Sequence, residues 1–237
     1  MTLLEVRELT KSYDRRHALR GVTFGVDAGE VVAVVGANGA GKTTLLRLLA
    51  GLARPSHGTV RLDGHTRDVA RRRLIGYVAH DAMLYADLTA EENLCFYARL
   101  YDVADAGLRA SDLLRRVGLD GRGDERVRAY SHGMRQRLAI ARALLHAPRL
   151  LLLDEPAAGL DDEGTALLEA LIGAHAAEGG AALLATHDLT RAAAGAGRVL
   201  SLDRGRLVGD LPRRAEPSVR LDGDVLGATH PPPQEAP

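Results

Sequence analysis

The chain has 237 residues, enough for one large domain or two small ones, and 46% of them are apolar, ample for a core. Aromatics are only 3% and Trp is absent, so that core must be built from Leu, Val and Ala. The formal net charge of zero gives bulk electrostatics no reason to favour nucleic acid or an anionic membrane surface. A single cysteine, Cys95, excludes an internal disulfide and fits a reducing cytoplasm. No N-terminal segment reads as a signal peptide, and no apolar run nears the roughly 18 residues a bilayer span needs.

In chain order, residues 3–9 and 20–27 alternate like half-buried strands, with a strand end and loop at 9–13 that carries one exposed aromatic, Tyr13. The β-branched run Val31-Val32-Ala33-Val34-Val35 predicts a fully buried strand. A helix over 44–50, ended by Gly51, follows a glycine-rich loop. After a turn at 54–58 come a strand at 59–63 and another at 74–78; the run Arg71-Arg72-Arg73 between them reads as a solvated face. Thr89-Ala90-Glu91-Glu92 is a capping box that opens a helix through Tyr101. Further helices are predicted at 108–117 and from about Tyr130 to His146, so 88–147 reads as a helical block inserted into a βα alternation. The alternation then resumes: strand 150–154, helix 161–178, strand 181–185, helix 189–195, and a terminal hairpin over 199–203 and 206–209. Residues 1–211 are expected to form the folded unit. The proline-rich stretch 212–237 is expected to be a disordered tail.

The organising stretch is Gly36-Ala37-Asn38-Gly39-Ala40-Gly41-Lys42-Thr43, which reads G-x-x-x-x-G-K-[ST]. Strand, glycine loop and helix are the context this phosphate-cradling motif needs. Its glycines let backbone N–H groups turn inward as an anion nest, and the helix start adds partial positive charge. Lys42 would reach the β- and γ-phosphates, and the Thr43 hydroxyl would take one Mg²⁺ position, with Thr44 beside it. Of the 31 basic residues only those at positions 11 and 42 are Lys. In a chain that uses Arg nearly everywhere, a compact ammonium at 42 reads as a chemical requirement.

Leu150-Leu151-Leu152-Leu153-Asp154-Glu155 places two carboxylates at the C-terminal end of a buried strand, where open α/β sheets bind ligands. Asp154 can hold Mg²⁺ beside Thr43, and Glu155 can polarise an attacking water as general base. Thr186-His187-Asp188 closes the next strand, so His187 is positioned to contact a γ-phosphate. Tyr13, just ahead of the phosphate loop, is suited to stack on a nucleotide base.

With these residues assembled, the chain resembles the nucleotide-binding subunits of ATP-binding cassette (ABC) transporters over roughly 3–210. The resemblance implies an α/β P-loop NTPase fold with a mixed central sheet, an N-terminal antiparallel β subdomain and an inserted α-helical subdomain. It makes Gly36, Asn38, Gly39, Gly41, Lys42, Thr43 and Thr44 the Walker A contacts to ATP and Tyr13 the adenine-stacking ring. It also makes Asp154 and Glu155 the Walker B pair, Asp161 the aspartate of the D-loop, and His187 the switch histidine. Ser131-His132-Gly133-Met134 lies where the family signature Ser-Gly-Gly-Gln stands, with His and Met in place of Gly and Gln. Ser131 and Gly133, the phosphate-facing members, are retained, so activity is expected.

His80 falls where the family carries a glutamine that offers a neutral carbonyl to Mg²⁺ and water. A neutral imidazole nitrogen could serve instead, whereas a protonated one would repel the metal. The resemblance further implies a head-to-tail homodimer, or a pair with a similar chain, holding two ATP with Mg²⁺. It implies an integral-membrane transporter subunit as a second partner, a place on the cytoplasmic face of the membrane, and coupling through 88–147 and 78–87.

Residues 80, 84–101 and 130–138 are similar in wording to the branch that serves cytochrome c maturation, the haem exporter. No direct haem binding is expected, since the nine His show no ligand pattern. The ATPase of a drug, antibiotic or polysaccharide exporter stays open as an alternative. A non-transport ABC ATPase would normally show two linked cassettes or a coiled-coil insertion. A P-loop kinase or GTPase would lack residues 131–133 and the adjoining carboxylate pair.

Overall fold

The computed structural model describes residues 1–14, 16–79, 81–187 and 195–212. Three antiparallel strands, β1 (Thr2–Tyr13), β2 (Arg16–Asp27) and β4 (His57–Leu62), form one sheet in the order β2-β1-β4. The second sheet contains β3 (Val31–Val35), β5 (Ile75–Val78), β6 (Leu150–Asp154), β7 (Ala181–Thr186), β8 (Arg198–Asp203) and β9 (Arg206–Pro212). Its order is β5-β6-β7-β3-β8-β9, parallel from β5 to β8 and antiparallel at β9, so the central sheet is mixed. β1 runs past the expected loop to Tyr13 because β2 continues to pair with it through several register shifts, down to Tyr13 opposite Arg16.

The helices α1 (Lys42–Leu49), α2 (Asp68–Arg72), α3 (Ala90–Leu100), α4 (Ala106–Arg116), α5 (His132–Leu144) and α6 (Asp162–Ala177), with a short 3-10 turn at Val127–Ala129, complete the described elements. Why β6 is a continuous leucine run follows from what covers it. Leu150 and Leu152 enter a core shared with α1 and the three-stranded sheet. Leu151 and Leu153 enter a second core shared with α3, α4, α5 and α6. Successive strand side chains point to opposite faces, so a strand covered on both faces needs no polar position. Each such leucine contributes about 1.5–3 kcal/mol of burial.

The helical region is held at its entry by chemistry the sequence only half shows. The capping box forms: Thr89 Oγ1 accepts from Glu92 N at 3.1 Å and Thr89 N donates to Glu92 Oε2 at 2.8 Å. Asn93, fully buried, then accepts from Tyr85 N and donates to the carbonyls of Tyr85 and Thr89, tying the preceding loop to α3. Of the arginine run expected to be a solvated face, Arg72 and Arg73 are exposed and Arg71 is the correction. Arg71 is buried, paired with Asp68, and Arg72 donates to Gly51 O at 2.6 Å. The end of α1 leaves carbonyls without helical partners, and these guanidiniums supply donors there. Residues 189–194 of the expected helix 189–195, and 213–237 of the expected tail 212–237, lie outside the described residues.

Candidate nucleotide site

β3 delivers the chain into the loop 36–41, where Gly36, Gly39 and Gly41 all have positive φ. Two of these glycines are fixed by close approach as well as by conformation. A Cβ at Gly41 would lie 2.7 Å from the Ala18 carbonyl oxygen, and one at Gly36 would collide with the Leu202 carbonyl. α1 then starts at Lys42 with no side-chain cap and no acidic residue in its first turn. Its leading N–H groups therefore carry the positive end of the helix toward the cleft with no acidic side chain in its own first turn to answer it, which suits an anion. Lys42 is buried; its ammonium donates to Gly36 O at 2.7 Å and Ala37 O at 3.4 Å, folded back over the loop.

The parallel pairing of β6 with β7 sets Asp154 opposite Ala185 and so brings the ends of the two strands together. Asp154 is buried at the end of β6. Glu155 has a left-handed backbone (φ 51°), an arrangement that costs a non-glycine residue free energy, and its N–H donates to Ala185 O at 2.9 Å. That turn brings its carboxylate to the cleft, where His187 Nδ1 donates to Glu155 Oε1 at 2.9 Å. A carbon-bound carboxylate held by an imidazole, beside a buried lysine and a threonine hydroxyl, can accept a proton from water while cations face phosphate oxygens.

These groups share one cleft of about 570 Å³. Asn38, Gly39, Gly41, Lys42, Thr43 and Thr44 line it from the loop side, Asp154 and Glu155 from β6, and His187 from β7. Ala18 and Ala158 also line it, and sequence reasoning missed both. Their only signals were the alternation of β2 and a position three residues past Glu155.

Other expected residues stand elsewhere. Tyr13 is half-exposed at the end of β1, with the Lys11 ammonium 4.7 Å from its ring centroid, and does not line the cleft. Ser131 caps α5, its Oγ accepting from Met134 N at 3.2 Å, with Gly133 in the first turn. Asp161 caps α6, accepting from Gly164 N at 2.8 Å. None of these three lines the cleft of their own chain. His80 lies outside the described residues.

A separate groove of about 220 Å³ runs between the central sheet and the helices, lined among others by Tyr77, Met83, Tyr97, Tyr101, Arg142 and His146. Arg142 donates to Tyr77 O at 2.7 Å and lies 5.2 Å over the Tyr97 ring; burial lowers its pKa. His146 stacks on Tyr101 at 3.9 Å, and burial pushes its pKa down to about 4.

The decisive comparison is with a family profile described as ABC transporter, which matches residues 19–158 and so spans the loop, Ser131–Gly133 and the β6 carboxylates. The chain belongs to the ABC transporter family. It is an ATP-binding domain of that family and an ATPase. It is 42% identical over 207 residues to the cytochrome c biogenesis ATP-binding export protein CcmA 1 of Salmonella typhimurium, covering 86% of this chain and 98% of that protein. It is 43% identical over 164 residues to the uncharacterized ABC transporter ATP-binding protein YxlF of Bacillus subtilis, 68% of this chain but only 55% of that one. Among solved structures it is similar to a dimeric, post-hydrolysis ATP-binding cassette bound to ADP and Pi. The TM-score there is 0.80 at 27% identity, over 90% of this chain and 99% of that one. The expected α/β P-loop fold, with its mixed and antiparallel sheets, agrees with this kinship.

Proposed function

We propose that this chain hydrolyses ATP as one half of a head-to-tail dimer and thereby powers export through a separate membrane subunit, serving the haem exporter of cytochrome c biogenesis. One observation carries the reading. The cleft gathers Lys42, Thr43, Asp154, Glu155 and His187, while Ser131 and Gly133 open α5 outside it. An uncapped α1 start and an outward-facing α5 start are two anion sites that one chain does not combine, and a second copy rotated by two-fold symmetry would.

In this reading Lys42 leaves the carbonyls of Gly36 and Ala37 for the β- and γ-phosphates, and the partner's Ser131 and Gly133 N–H groups meet the γ-phosphate from the other side. Glu155 takes a proton from the water that attacks the γ-phosphorus in line; the bridging P–O bond breaks and ADP departs. His187 holds Glu155 in place throughout. Thr43 and Asp154 supply a hydroxyl and a carboxylate at one spot, a donor set that suits Mg²⁺, which binds through one or two protein oxygens plus substrate phosphates. When bound, the ion neutralises charge on the phosphates.

Tyr13, on the β1–β2 hairpin that also carries Ala18, takes the base at the cleft rim. Among the described residues no helix is long and apolar enough to cross a membrane, and the transport path is assigned to the partner. In this reading that subunit engages the chain at the aromatic groove between sheet and helices, through residues 78–87 and the helical block, at the cytoplasmic face of the membrane. The similarity to export proteins of cytochrome c biogenesis along nearly their full length favours that branch over the drug, antibiotic or polysaccharide exporters.

The test is ATP-dependent dimerisation of Glu155→Gln in solution, read by light scattering. Formation of a dimer with ATP and not without it supports the reading; a chain that stays monomeric with ATP bound contradicts it.

A further inference from the structure

Two side chains on one face of α5 reach the loop that follows Glu155. Gln136, 5% exposed, donates from Nε2 to Pro156 O at 3.0 Å. One turn earlier, on the same face, His132 Nε2 lies 3.2 Å from Ala158 O. A carbonyl only accepts, so this nitrogen carries the proton. The ring lies so close over Gly159 that a Cβ there would collide with it, and Gly159 also has φ 73°. Gly133 adds backbone proximity, since a Cβ on it would come 3.4 Å from Gly159 O. The clamped loop is no passive connection. It begins at Glu155, Ala158 lines the nucleotide cleft, and it ends at Asp161, the cap of α6.

We infer that His132 is a positioning residue that couples the two nucleotide sites of the dimer. It fastens the segment a chain presents to its partner's nucleotide to the loop beside that chain's own Glu155. This rests on the dimer proposed above. Contact of Ser131 and Gly133 with the neighbour's γ-phosphate shifts the start of α5. The His132–Ala158 hydrogen bond then carries that shift to the wall of the chain's own cleft. Gln136 anchors α5 to Pro156 but lies a turn deeper, away from the residues that meet the partner.

The experiment compares the full-length chain with His132→Ala and His132→Gln. The amide nitrogen of Gln can occupy the place of Nε2. Thermal melting confirms folding of each variant. ATP affinity is measured on dilute chain, dimerisation with ATP in the Glu155→Gln background, and turnover against ATP concentration in the active background. His132→Ala should bind ATP within about twofold of the parent and lose about tenfold in kcat, the scale of one lost hydrogen bond in each of two coupled sites. Its Hill coefficient for ATP should fall toward one, and His132→Gln should recover both. Unchanged kcat and cooperativity in His132→Ala, or a His132→Gln chain as impaired as His132→Ala, overturns the inference alone, provided the parent dimerises with ATP. A parent that never dimerises overturns the dimer and this coupling together.

Discussion

The P-loop cleft and the start of α5 present the same device, a helix N-terminus whose positive end suits an anion, and surround it in opposite ways. At α1 the strand β3, the glycines and the ends of β6 and β7 surround the helix start with a lysine, a threonine and two carboxylates of the same chain. At α5 the helix start has Ser131 as its own cap and no share in that cleft. The first site is rich in reactive groups and open on one side; the second offers a helix start capped by Ser131 and no such cluster. Under the proposed dimer, the difference divides hydrolysis between surfaces of two chains, each necessary and neither sufficient.

The most severe way to break the comparison is Lys42→Ala, which removes the buried ammonium of the first site. ATP affinity, measured by calorimetry, should fall about a hundredfold, the scale of a charged hydrogen-bonding partner lost from a phosphate. Glu155→Gln should separate binding from chemistry at the same site. Turnover drops by about two to three orders of magnitude, as for loss of a general base, while ATP affinity is kept.

Ser131→Ala probes the other surface. Loss of the cap bond to Met134 N should cost about 1 kcal/mol of stability in a denaturant titration. Turnover should fall while ATP affinity of the dilute chain stays unchanged, the reverse of Lys42→Ala.

The smallest expected effect on turnover comes from a control remote from both surfaces. Burial holds His146 neutral, with a pKa of about 4 against 6.5 when unfolded. Its contribution is present above pH 6.5 and is lost as the pH falls from 6.5 through 4, because the unfolded chain takes up the proton first. His146→Gln should therefore flatten the acid loss of stability by about 2–3 kcal/mol over that window, with turnover at neutral pH little altered.

Much of the first site was legible because its chemistry is local in sequence. The glycine loop follows one strand, the carboxylates end another, and once β6 and β7 pair in parallel His187 falls beside the carboxylates. The capping box at Thr89 was legible for the same reason, its two bonds closing within three residues. What could not be read depends on contacts distant in sequence. Arg71 is buried because α1 ends above it, and Asn93 because its amide must satisfy a loop eight residues back. The tie from His132 to Ala158 spans 26 residues and appears only when α5 packs on the loop after β6. Tyr13 stands at the end of β1 with its ring beside Lys11 and outside the residues that line the cleft, so its base-stacking role stays part of the proposal.

The claim that two chains share each reaction is tested most directly by ATPase rate per chain as the protein is diluted at saturating ATP. The account predicts that the rate per chain falls toward zero on dilution and returns on concentration, as a dimer forms and separates. A rate per chain that stays constant down to concentrations where light scattering finds only monomer would contradict it.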